Sequence, residues 1–388
     1  MTHLFERTSD VSGPSPVIKA SAPGRVEILG NHTDYNGGTV VGAAIDLRLR
    51  VAVRGRDDDR IRMASTSTPS RFETTLSTYR DDDGPDWTKY TLGVADELMM
   101  YAGGGTGTGF DLLVDSDVPS GAGVSSSAAL ELATGLALNA LWDLNVDLNA
   151  LIRLAHRAEN RYVGVPCGLL DQAVCGAGRQ DALVVVDASE DRIDTVPFPG
   201  ETRLVLCSSH VRRSLAHSMY ETRYSECRDA HSAVSRLVPG LGALADLHPF
   251  DTAVYGPALD PVLRRRADHV VAEEDRVTRF LDLLRSVDGS TGSLAAAGEL
   301  MTASHRSSQT LFENSCPELD FLVDRFIEQP GVLGCRLTGA GWGGAVVAWI
   351  DGRFDESSLA AVTEAYAEQF DAQADARFVR PSDGARLD

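Results

Sequence analysis

Lysine is nearly missing from this chain. Lys19 and Lys89 are the only lysines, arginine carries almost all of the positive charge, and the formal net charge is −20. No long basic cluster interrupts that acidity, so neither a nucleic-acid partner nor an anionic membrane surface is expected. Long apolar runs are absent too, which leaves no membrane-spanning helix. Residues 1 to 16 are polar and lack the positive start and apolar core of a signal peptide, so a cytoplasmic protein is expected. Cys167, Cys175, Cys207, Cys227, Cys316 and Cys335 show neither CxxC nor histidine-paired spacing, which argues against a disulfide framework or zinc site and for reduced, buried thiols. HExxH, GxSxG and internal repeats are missing as well.

What the sequence does contain is a Gly/Ser stretch, Pro119 to Ser127, that leads from a strand-like segment at Phe110 to Val114 into an Ala/Leu-rich helical pattern at Ser126 to Trp142. Gly121 and Gly123 let backbone N–H groups approach an anion, the serines add hydroxyl donors, and a helix N-terminus supplies partial positive charge. The combination reads as a phosphate cradle, with a flexible turn capping an ordinary helix as the alternative. It is not a P-loop, since no Gly-Lys-Ser/Thr follows, nor a dinucleotide fingerprint, since Ser126 stands where the third glycine belongs.

The 388 residues, 43% of them hydrophobic, suffice for two domains with their own cores. Pro197-Phe198-Pro199-Gly200 is the best linker, dividing residues 17–196 from 201–380, with a frayed arm before Val17. Residues 45 to 54 alternate as a half-buried strand whose arginines face solvent. Between Ala22 and Gly38 an Arg, a His and an Asp crowd into one Gly/Pro-punctuated segment, more chemistry than a turn requires. Helical spacing covers 147–163, 214–235, 262–286 with Arg264, Arg265 and Arg266 solvated, and 295–311; strands are expected at 183–187, 203–208, 332–337 and 345–350. Glu159, late in its helix, opposes the helix dipole and so faces solvent or meets a cation. Asp171 lies among apolar neighbours and needs either a partner, a task or an N-cap position. Thr338 to Gly344 matches GxGxxG, but a strand follows where a dinucleotide fold requires a helix.

Three motifs in this order, Gly24-Arg25-Val26 through Asp34-Tyr35, Gly121-Ala122-Gly123 through Ser127, and Thr338-Gly339-Ala340-Gly341 through Gly344, resemble those of the GHMP small-molecule kinases. Gly30-x-His32-Thr33-Asp34-Tyr35-Asn36-Gly37-Gly38, Cys167-Gly168-x-x-Asp171-Gln172 and Ser315-Cys316-Pro317-Glu318-Leu319-Asp320 are similar to the galactokinase family in particular, and the likeness spans roughly residues 17 to 380. The resemblance implies an α+β fold of two domains, S5-like and then ferredoxin-like, with the site between them. It implies ATP-dependent phosphorylation of the anomeric hydroxyl of a sugar, galactose first. Gly121, Ala122, Gly123, Val124, Ser125, Ser126 and Ser127 would bind the ATP phosphates, and Ser127 with Glu159 would hold Mg²⁺. Asp171 would be the base, Arg25 would stabilise developing charge, and Asn31, His32, Thr33, Asp34 and Tyr220 would contact the sugar. A small-molecule sugar is then the partner, and a monomer is expected. The chemistry agrees from below, because phosphoryl transfer mostly needs positioning and charge neutralisation. Kinases for galacturonate, arabinose or another galactose-like sugar, a sugar- and ATP-sensing regulator, and a diphosphate decarboxylase are the competing readings.

One residue departs from the resemblance. Galactokinases usually carry Glu where this chain has Asn31. Asn is neutral and can donate, so weaker galactose binding is expected, together with a gain in galactose kcat/KM for Asn31→Glu.

Overall fold

The computed structural model describes residues 16–81, 83–104, 107–211, 216–286 and 291–388. The expected N-terminal arm, and residues 214 and 215 of the helix expected at 214–235, lie outside them.

Two long strands, β1 (Val17–Leu29) and β2 (Thr39–Gly55), pair antiparallel, with ladder irregularities between Pro23 and Arg25 and between Glu27 and Leu29. Pro23 has no N–H to give the ladder, and a bulge re-aims the residues that follow it. Arg25 and Glu27 occupy the segment between the two irregularities. β3 (Arg60–Ser65), β4 (Thr68–Thr75), β5 (Phe110–Ser116), β6 (Ala182–Asp187) and β7 (Arg192–Pro197) extend this sheet, with β2 as its hub: Thr39–Gly42 pairs with β6 and Leu49–Gly55 with β5. Helices α1 (Asp86–Tyr101), α2 (Ser126–Leu141), α3 (Leu148–Ala158) and α4 (Leu170–Ala177) belong to this half, α2 lying against β1 and β2.

The second half holds β8 (Arg203–Ser208), then α5 (Ala216–Val234), α6 (Pro261–Ser286), α7 (Thr291–Ser307) and α8 (Pro317–Ile327), followed by β9 (Val332–Thr338), β10 (Ala345–Ile350), α9 (Glu356–Phe370) and β11 (Asp375–Val379). Its strands form an antiparallel sheet in the order β11-β8-β10-β9. Side chains alternate between two cores, as the pleat requires. Leu204, Leu206, Val347 and Trp349 enter the main core shared with the first half, whereas Val205, Cys207, Val346 and Ile350 face α8 and α9. Being covered on both faces, β10 is an unbroken apolar run. The last strand, β12 (Arg386–Leu387), returns to β1, so that among the described residues the larger sheet has eight strands and the smaller four.

In each of the two groups of arginines expected in solvent, one is structural instead, Arg48 and Arg266, whereas Arg264 is exposed as expected. Arg48 donates to the carbonyls of Asp383 at 2.6 Å and Gly384 at 2.9 Å, pinning the C-terminal segment. Arg266 is only 2% exposed and reaches Glu226 at 2.6 Å, Glu313 at 2.7 Å and the Leu311 carbonyl at 2.5 Å. All six cysteines are free, and all but Cys167 are buried. Among the described residues no helix is long and apolar enough to cross a membrane.

Helix α7 approaches β9 so closely that a Cβ on Gly298 would stand 2.1 Å from the Leu333 carbonyl oxygen. Alanine normally favours a helix interior over glycine by about 1 kcal/mol. Here the clash reverses the sign, and Gly298→Ala is expected to destabilise the protein by about 1–3 kcal/mol. Urea denaturation checks this; a raised midpoint would show that the helix and strand have room to part.

Candidate active site

Where β1 ends, between the two halves, a cavity of about 250 Å³ opens. Arg25 and Glu27 reach it from one face of β1, His32 and Asp34 from the turn after it, Asp171 from the first turn of α4, and Tyr220 from α5. Glu159, Cys167 and the backbone at Gly339 and Ala340 complete the wall. Gly168 lets Asp34 pack closely there: a Cβ at that position would lie 1.8 Å from the carboxylate and displace it.

One knot of side chains joins this cavity to the Gly/Ser loop. Arg25 contacts Oδ1 of Asp171 through Nε at 2.8 Å and Nη2 at 2.6 Å, while its Nη1 donates to the Gly123 carbonyl at 2.6 Å. The other oxygen of Asp171 accepts from the Ser125 hydroxyl at 2.5 Å. Asp171 therefore makes no N-cap bond; its carboxylate is held from two sides by residues of the cavity and the loop. Ser125 sits at φ 55, just ahead of α2, a left-handed conformation uncommon outside glycine. Its hydroxyl is committed to Asp171, leaving its N–H and the other loop groups as the anion donors. Gly121 and Gly123 are exposed, and Ser126 and Ser127 open the helix.

Carboxylates crowd this region. Glu159 is buried at the end of α3, which settles its position against solvent. Gln172 Nε2 donates to Glu159 at 2.5 Å and to the fully buried Glu131 at 2.9 Å. Desolvation first, and then the charge of Asp171, push Glu159 up to about 7, against hydrogen bonds from Gln172, Ser127 and Cys167. Asp34 is likewise raised to about 7, by desolvation and then by the charge of Glu27. Glu131 is driven well above the usual carboxylate range by burial and the charge of Glu159. Burial opposes the charge of Arg25, but Asp171 and Glu27 more than offset it and hold the guanidinium above its ordinary value. His32 is lowered to about 3, chiefly by burial and then by His269, and is neutral. Its Nε2 lies 3.0 Å from the Asn314 amide nitrogen and 3.2 Å from the Ala340 carbonyl, and its Nδ1 3.0 Å from the Tyr35 hydroxyl, so both ring nitrogens have protein partners.

Two expected sugar contacts change on this geometry. Thr33 is wholly buried, and its hydroxyl donates to the Gly30 and Thr39 carbonyls, closing the turn rather than facing the cavity. Asn31 borders the cavity, but its amide is spent on protein partners: Nδ2 reaches Glu27 at 3.1 Å and the Gly339 carbonyl at 3.2 Å, and Oδ1 accepts from Ser308 and Asn314. An Asn31→Glu change would set a second carboxylate against Glu27, so on this geometry a loss in galactose kcat/KM is expected of it in place of a gain. Sequence reasoning also passed over Glu27, Glu131 and Gln172. Glu27 had a signal, standing two residues after Arg25 and hence on the same strand face.

Residues 89–179 match the family GHMP kinases N terminal domain, and residues 280–372 match GHMP kinases C terminal. Fold and site together define a GHMP-type small-molecule kinase. Residues 3–55 match the galactokinase galactose-binding signature. The chain is 37% identical to a galactokinase of Chloroflexus aurantiacus, over 95% of this chain and 92% of that protein. It is 33% identical to a galactokinase of Bacillus subtilis, over 94% and 93%. A crystal structure of Lactococcus lactis galactokinase complexed with galactose superposes with a TM-score of 0.92 at 30% identity, covering 99% of each chain. This chain belongs to the galactokinase family. Methanococcus jannaschii mevalonate kinase, at a TM-score of 0.62 and 16% identity, shares the fold alone.

The raised Glu159 has a thermodynamic consequence. The folded chain keeps a proton that the unfolded chain releases near the ordinary 4.5, so this group favours folding at low pH and loses that advantage as pH rises toward about 7. His32 acts in the opposite sense below its ordinary 6.5, so the effect is read as a difference between two proteins. Relative to wild type, Glu159→Gln is expected to gain on the order of 2–3 kcal/mol between pH 5 and pH 8. A pH-independent difference in denaturation free energy would contradict it.

Proposed function

We propose that the protein transfers the terminal phosphoryl group of ATP to the anomeric hydroxyl of galactose, giving galactose 1-phosphate and ADP. The observation that carries this reading is the Arg25–Asp171–Ser125 knot, which ties a sugar-sized cavity walled by several charged and polar side chains to an anion-binding loop at a helix N-terminus. The similarity to galactokinases along nearly the whole chain supports galactose as the sugar. The functional division is into domains 17–196 and 201–380, the catalytic groups coming from the first and the cavity being closed by the second.

Asp171 takes the proton of the anomeric hydroxyl as that oxygen bonds to phosphorus and the bond to ADP breaks. Arg25 holds Asp171 in place and brings positive charge beside Gly123, where the phosphoryl group acquires negative charge during transfer. His32, Asp34 and Tyr220 hold sugar hydroxyls in the cavity. Gly121 to Ser127 receive the phosphates through N–H groups, the hydroxyls of Ser126 and Ser127, and the start of α2. Ser127 and Glu159 suit Mg²⁺, a hard cation that takes oxygen ligands: among the described residues Glu159 is a buried carboxylate without a cationic side chain in ion-pair distance, a state that a bound ion would relieve. When bound, Mg²⁺ neutralises phosphate charge.

A sugar panel with ATP and Mg²⁺, read by ADP release, tests the activity; silence toward galactose and every related sugar would refute it. Asp171→Asn keeps an oxygen for Arg25, so it is expected to fold and to bind galactose in calorimetry, while kcat falls about 100-fold or more. Unchanged turnover would remove Asp171 from the base role. For Ser127→Ala, the Mg²⁺ concentration giving half-maximal rate is expected to rise, and an unaltered titration would take Ser127 off the metal.

A further inference from the structure

We infer that Glu27, rather than residue 31, supplies the carboxylate that accepts a sugar hydroxyl in this cavity, with Asn31 and Arg336 as the residues that position it. The inference rests on the reading of the cavity as a galactose site. Its starting point is the state of Asn31. Both amide hydrogens have partners, on Glu27 and the Gly339 carbonyl, and Oδ1 accepts from Ser308 Oγ at 3.0 Å and Asn314 Nδ2 at 2.9 Å. A side-chain amide has two donors and two lone pairs, so none is left for a ligand.

Glu27 is in the opposite condition. Its Oε1 takes Asn31 Nδ2 at 3.1 Å and Arg336 Nη1 at 3.0 Å, while among the described residues Oε2 is approached only by the same Asn31 nitrogen at 3.3 Å. An ionised carboxylate accepts about four hydrogen bonds, so this one retains capacity on the wall of the cavity. It is also rigidly placed. The Glu27 N–H donates to Thr338 Oγ1 at 2.7 Å, and Arg336, wholly buried, reaches it from β9. A carboxylate fixed by a buried guanidinium on one side and an amide on the other is preorganised, and a ligand hydroxyl then meets an acceptor that needs no reordering. The charge balance explains why residue 31 is neutral. A second carboxylate at position 31 would be buried within hydrogen-bonding distance of Glu27, like charge against like charge.

The test measures galactose affinity by calorimetry without ATP, using galactose and its 2-, 3-, 4- and 6-deoxy forms, with ADP release followed in parallel. For Glu27→Gln, the galactose Kd is expected to rise about 10- to 100-fold, the loss of one charge-assisted hydrogen bond. One deoxy sugar, the one lacking the hydroxyl that Glu27 receives, is expected to bind wild type and variant alike. An unchanged galactose Kd, or an equal loss for galactose and all four deoxy sugars, would overturn the assignment. Should Glu27→Gln fail to fold, Glu27→Asp decides, because it keeps the charge but withdraws the carboxylate by one methylene from the cavity wall. Its galactose Kd is expected to rise at least 10-fold, with the same single deoxy sugar indifferent to the change; an unchanged Kd would count against Glu27. Wild type that binds galactose but releases no ADP would refute the kinase reading and leave the affinities to decide Glu27, whereas full activity with an indifferent Glu27→Gln would refute Glu27 alone.

Discussion

A buried guanidinium holds this site together. Arg25 lies at the end of β1 with 4% of its surface exposed and touches both Asp171 on α4 and the carbonyl of Gly123 in the loop before α2. An isolated charge so placed would be costly, and a pair becomes tolerable only when geometry is good and remaining hydrogen-bonding groups are satisfied. The contacts to Asp171 and Gly123, and that of Ser125 on the second Asp171 oxygen, meet that condition. Because the three elements meet at one side chain, the distance between sugar cavity and anion loop is set by Arg25.

Around it the chain concentrates negative charge where water is scarce. Glu27, Asp34, Glu131 and Glu159 stand near Asp171; Asp34, Glu131 and Glu159 are raised in pKa by desolvation followed by a neighbouring carboxylate. Glu27 pairs with Arg336, and Glu159 and Glu131 share the amide of Gln172. The remaining excess makes the region receptive to a cation and to donors from a polar ligand.

The two sheets hold the cavity in shape because they share a core. Leu204, Leu206, Val347 and Trp349 pack with residues of the larger sheet, and β12 crosses back to pair with β1 under the clamp of Arg48. The loop between β9 and β10 thereby meets β1 at a fixed distance, with Thr338 bonded to the Glu27 N–H and the Ala340 carbonyl facing His32.

Local chemistry was enough for the sequence to show the helix opening at Ser126, the strand at 203–208, the all-apolar strand at 345–350 and the glycine loops, since each rests on periodicity or turn residues within a short window. The resemblance carried by the motifs pointed to Arg25, Asp171, His32, Asp34, Glu159 and Tyr220, and all six border the cavity. What the window could not contain was partnership across the chain. Arg48 and Arg266 read as solvated because their acceptors, the carbonyls of Asp383 and Leu311, are far away in sequence. Asn31 read as a sugar ligand because Ser308 and Asn314, which occupy its oxygen, lie 277 and 283 residues downstream. Glu27 was passed over for the same reason: the arginine that fixes it is 309 residues away, and only the folded chain brings the two within 3.0 Å. Residue type and spacing determine which chemistry is present, while the satisfaction of each buried polar atom, which decides what remains free for a ligand, is a property of the tertiary structure alone.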